Sequence, residues 1–159
     1  MNWDHHARGG ASIAALDRMG TWEANLVLNL RLWCEGPCGQ TRVWNEYRKT
    51  LPGECARNAC RAFESLIQTL IANAQRPLVR HNVGCSCVGA DECVFLHLIR
   101  CAADGHRGDA ALMAALIVGP SKAEDIATLA GQDGIYARKI HNPPTEYSNK
   151  TAPSVVRFH

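Results

Sequence analysis

CRAFESLIQTLIANA, residues 60–74, decides the fold. Cys60, Phe63, Ile67, Leu70 and Ala74 step by three and four, and Leu66 and Ile71 widen the stripe. That is the apolar face of an amphipathic helix, which must bury itself against other helices. Pro77 stops it. Toward the N-terminus, residues 40–50 read as a second helix, closed by Pro52 and Gly53, and residues 34–39, CEGPCG, read as a turn. Residues 21–33 carry two competing periods. Leu26, Leu28, Leu30 and Leu32 alternate as in a strand, whereas Trp22, Leu26, Leu30 and Trp33 share a helical face. The length favours a helix.

Toward the C-terminus, residues 78–90 form a glycine-punctuated loop holding His81, Cys85 and Cys87. Asp91 is positioned as the N-cap of a helix over 92–103. Asp109 caps another over 110–118, ended by Gly119 and Pro120. Ser121, with Glu124 three residues on, opens a last helix over 122–130. The expectation is an all-α single domain, a compact bundle of about five to seven helices with an irregular cysteine-containing loop. Residues 1–20 read as a loose arm with one helical turn at 12–19, residues 21–141 as the helical domain, and the proline-rich 142–159 as an extended or disordered tail.

At 159 residues the chain is one ordinary domain, able to bury a core without staples. Its 17 basic and 15 acidic residues are too balanced to argue for nucleic acid or membrane binding from bulk charge. No apolar run is long enough to span a bilayer, and the N-terminus lacks a basic start followed by an apolar stretch. The expected location is the cytoplasm, where the eight cysteines would be thiols or metal ligands rather than four disulfides.

The stretch HNVGCSCVGADEC, residues 81–93, concentrates that chemistry. His81, Cys85 and Cys87 offer one imidazole and two thiolates within seven residues, a donor set that suits tetrahedral zinc. Glu92 is the expected fourth ligand. The leading expectation is a structural zinc ion that fixes the loop against the bundle, in a protein with a non-enzymatic regulatory or interaction role. Cys34 and Cys38 form a half-site that could join Cys85 and Cys87. Cys93, His97 and Cys101 share a helical face but read as packing residues, as does Cys60. No nucleophile elbow, Walker loop or dinucleotide fingerprint occurs. A Cys85 nucleophile with His81 as base is one enzymatic possibility, and a thiol redox protein that uses a Cys85–Cys87 disulfide is a separate alternative.

A second alternative comes from residues 123–142, AEDIATLAGQDGIYARKIHN. This stretch resembles the helix-turn-helix unit of lac-type bacterial repressors. The resemblance would put Ala127 at the helix contact, Gly131 in the turn, and Ile126, Ala130, Ala137 and Ile140 in the core. Arg138 and Lys139 would then meet phosphates and Tyr136 a base or sugar, which implies a DNA-binding regulator with metal- or redox-sensing cysteines. Trp22, Trp33 and Trp44, eleven residues apart, are expected to pack together between the first two helices. The apolar faces on several short helices make a homodimer a further expectation.

Overall fold

The computed structural model describes residues 12–141. Six helices, α1 (Thr21–Trp33), α2 (Pro37–Thr50), α3 (Gly53–Asn73), α4 (Ala90–Ala103), α5 (Arg107–Val118) and α6 (Pro120–His141), account for most of them. Two short strands, β1 (Ser12–Ala15) and β2 (Cys87–Gly89), complete the fold. The all-α bundle expected from periodicity is therefore the observed architecture. No helix among the described residues is long and apolar enough to cross a membrane.

The α3 stripe forms the spine. Ala59, Cys60, Phe63, Leu66, Ile67 and Leu70 are all buried, and Phe63 meets Trp33 edge-on with ring centroids 5.6 Å apart. Ile71, expected to widen the stripe, is instead half exposed at 50%. The helical period of α1 prevails over its alternation: Leu26, Val27, Leu30 and Trp33 are buried. Gly20 caps α1, and its N–H donates to the Glu23 carboxylate. Glu23 also pairs with Arg100 of α4.

Three sequence expectations are corrected. The 12–19 segment is not a loose helical turn. Ser12–Ala15 pairs antiparallel with Cys87–Gly89, a 3₁₀ turn follows at Leu16–Arg18, and the Leu16 N–H donates to the Ser86 carbonyl at 2.9 Å. The remainder of the proposed arm (1–11) and the tail (142–159) lie outside the described residues.

The helix-turn-helix is not formed, because residues 120–141 make one continuous helix. Gly131 lies within the helix rather than in a turn, and Gly134 serves close approach: a Cβ there would press on Ala103 and Ile99. Arg138, the proposed phosphate contact, bonds Asp104 at 2.5 Å and lies over Trp22. The three tryptophans share the core, Trp33 within it and Trp22 and Trp44 packed against it, but they do not stack on one another. Trp33 meets Phe63, Trp22 sits under Arg138, and Trp44 sits under Arg48.

The α1–α2 hairpin closes so tightly that a Cβ on Gly39 would collide with the Leu32 carbonyl. Gly39→Ala should therefore lower stability by about 2–3 kcal/mol, because backbone rather than a flexible side chain must give way. Gly108→Ala, on an open face of α5 with nothing within 4 Å, should raise stability by about 0.5 kcal/mol. Urea unfolding of the two variants checks both signs. Equal effects of the two substitutions would contradict this packing.

Candidate functional site

Arg31 lies on α1 within the run LVLNLRLW, and none of its side chain is exposed. A buried guanidinium needs every N–H paired. Nε donates to Glu92 Oε1 at 2.7 Å and Nη2 to Glu92 Oε2 at 2.9 Å. Nη2 also donates to the Cys87 carbonyl at 2.6 Å. Nη1 donates to the carbonyls of Cys85 at 2.6 Å and Asn82 at 3.1 Å. All five donors are used, three of them on the backbone of the cysteine loop.

Glu92 is satisfied in the same way. Its Oε1 also accepts the His81 N–H at 3.1 Å, and its Oε2 accepts the Gly89 N–H at 3.0 Å. A carboxylate offers about four acceptor positions, and all are occupied. Glu92, the expected fourth ligand, is thus committed in this structure to Arg31 and the loop backbone. The role assigned to zinc, fixing the loop to the bundle, is filled by Arg31 and Glu92.

The neighbouring carboxylate holds the start of the loop. Gly89, not Asp91, is the N-cap of α4. Asp91 instead takes Arg76 through both Nη atoms at 2.8 Å and the Val79 N–H at 2.8 Å. Burial raises the Asp91 carboxyl, but the Arg76 guanidinium and the Val79 N–H outweigh it and hold it below the usual carboxylate range. Asp91 and Glu92 diverge on the helix as adjacent residues must, so each grips a different arginine.

Between these anchors stand His81 and Cys85. His81 is buried, at 1% exposed, and its Nδ1 lies 3.8 Å from Cys85 Sγ. Its Nε2 is buried without a hydrogen-bond partner. Cys85 is half-buried, and its N–H closes a turn onto the Asn82 carbonyl at 3.0 Å. Cys87, two residues on in β2, is also half-buried. Of the four expected ligands, the structure thus brings His81 and Cys85 into contact, keeps Cys87 on the same segment and commits Glu92 elsewhere.

Among the described residues no three His, Cys, Asp or Glu side chains converge on a common metal position. The pair alone is spaced for one. Zinc at its usual bond lengths to sulfur and imidazole sets those donors about 3.6 Å apart in a tetrahedron.

All eight cysteines are free thiols. Burial pushes Cys60 up to about 11, and it also raises Cys34, against the opposing charge of Arg80. Cys93 is raised by burial and then by Glu92. These three are poor thiolates. Cys38 is exposed in the first turn of α2, and His97 is exposed on α4. Cys85 is the cysteine whose sulfur meets an imidazole.

The chain matches no protein-family model, no curated protein and no solved structure.

Sequence reasoning missed Arg31. The available signal was an arginine inside an apolar run, two residues before the buried Trp33. Arg31→Met, which strands a buried carboxylate, should cost about 3–5 kcal/mol. The cycle with Glu92→Gln should show a coupling of about 2 kcal/mol or more in chemical denaturation. Additive single effects would mean that the two groups do not act as a pair.

Proposed function

We propose that this chain is a thiol redox protein in which Cys85 is the reactive thiol. His81 is its proton acceptor and Cys87 the second thiol of a reversible pair. The observation that carries this reading is the 3.8 Å contact of Cys85 Sγ with Nδ1 of a buried histidine. An imidazole in that position takes the thiol proton and leaves the nucleophilic thiolate. Arg31 supports the site by holding the carbonyls of Cys85 and Cys87, so neither backbone position drifts.

The partner reaction is exchange with a small-molecule disulfide. The Cys85 thiolate attacks one sulfur, and the other leaves as a thiolate that takes up a proton. The Cys87 thiolate then attacks the mixed disulfide, closing the protein disulfide and releasing the second thiol. Two protein thiols are oxidised and one external disulfide is reduced. Such chemistry suits a reducing compartment, in keeping with the cytoplasmic location expected from the sequence.

A zinc-binding reading, the first expectation from the sequence, draws on the same contact, because the two donors stand at nearly the separation an ion would require. It would use His81, Cys85 and Cys87, with Glu92 left to Arg31.

Alkylation by iodoacetamide, read by peptide mass spectrometry, tests the proposal. In the native protein Cys85 should react at least about tenfold faster than Cys34, Cys60 or Cys93. His81→Asn should slow it by roughly the same factor, and oxidised glutathione should yield a Cys85–Cys87 disulfide that dithiothreitol reverses. Native Cys85 reacting no faster than the buried thiols, with no disulfide formed, would overturn it. About one zinc per chain by elemental analysis, lost in Cys85→Ser, would replace it with the metal reading.

A further inference from the structure

Asp133 lies on α6, none of it exposed, and neither carboxyl oxygen has a hydrogen-bond partner. Among the described residues the other fully buried Arg and carboxylate side chains, Arg31 and Glu92, pair with each other. Near Asp133, α2 contributes Tyr47, also buried, and Cys60 of α3 acts on the same phenol. The α1 neighbour is Asn29, whose amide bonds the Tyr47 phenol. Burial first, then the Asp133 carboxylate and Cys60, push the Tyr47 phenol well above its ordinary value, so it stays neutral. Arg48 and Glu64 act on Cys60 from the outer side. From α4 and α5, the charged groups that meet α6 are already engaged at the surface: Asp104 with Arg138, and Arg107 with Glu124. Arg61 of α3 is exposed where it borders α6 at Gln132 and Tyr136, and among the described residues no cation pairs with Asp133.

An unpaired carboxylate cannot remain ionised in such a place without large cost, whereas the neutral acid can. We propose that Asp133 is a proton-binding switch at the seam of α6 with α1 and α3. Neutral, it lets α6 seat against the other helices; ionised, it drives local opening of that seam. The geometry supplies the two states: α6 packs on α3 and α4 and buries Ala127, Ala130 and Ala137, while neither the Tyr47 phenol nor any other described group hydrogen-bonds the Asp133 carboxyl to receive its charge.

Burial raises the Asp133 carboxyl from 3.8 to about 7. The folded state thus holds a proton that the unfolded chain releases. Stability is greatest below the unfolded value, falls as pH rises, and levels off above the folded value. The folding equilibrium should weaken by up to roughly tenfold per pH unit between about 4 and 7 through this one group.

Thermal melts of the full chain and of Asp133→Asn across this range test the proposal. The variant should match the wild type near pH 4 and become progressively more stable toward about pH 8, with α6 amide exchange in the wild type accelerating beyond its intrinsic pH dependence. A difference between the two proteins that does not change with pH would overturn it. Infrared titration of the wild type is independent of whether the variant folds. A protonated carboxyl band lost near neutral pH is the expected result, and carboxyls that all ionise in the ordinary acidic range would overturn it.

Discussion

The buried pair of Arg31 and Glu92 is the constraint on which the site depends. Removing two charges from water is costly, and their mutual attraction offsets that cost only where each remaining donor and acceptor is matched. Here the match is complete: five guanidinium donors and four carboxylate positions are all used. The pair is therefore better understood as a device for specificity than as a source of stability. Shifting the loop by one residue would strand at least one buried carbonyl or N–H, so the loop has one place to sit. α1, the 81–89 loop, β2 and α4 are all referred to that one point.

The cysteine chemistry is downstream of it. His81 is placed by its own N–H on Glu92, and Cys85 by its own carbonyl on Arg31. Their side chains meet because their backbones are gripped by opposite halves of one ion pair. Asp91 and Arg76 perform the same task at the loop entrance, where solvent weakens the pair and the exchange of contacts is cheaper. A rigid inner anchor and a softer outer one suit the role proposed for the segment, in which it presents a thiol while holding a base in place.

The helices were legible wherever an apolar stripe repeated by three and four, because burial of that stripe is what makes a helix in a bundle. α3 shows this, and so does α1 once length decides between its two periods. The failures have physical causes. Gly131 looks like a turn residue, yet a glycine is also tolerated inside a helix, and the neighbouring Gly134 shows the other use of glycine, a close approach to Ala103 and Ile99 that no local pattern reveals. The strand at Ser12–Ala15 exists because β2 is there to pair with it, a contact more than seventy residues away. His81, Cys85 and Cys87 were visible as chemistry-bearing residues. Glu92 was visible too, but its partner was not, since nothing local ties position 92 to position 31. Asp133 gave no periodic signal at all, being one polar residue on an otherwise small and apolar helix face.

The most direct measurement is hydrogen exchange at two backbone amides, those of His81 and Gly89. Both lie in or beside a loop, and both donate to the Glu92 carboxylate. If the Arg31–Glu92 pair anchors this segment, they should exchange as slowly as amides in the middle of α3, and Arg31→Met should release them together. Exchange at the rate of open loop amides in the native protein would mean that the pair does not hold the loop, and the arrangement of His81 and Cys85 would lose its foundation.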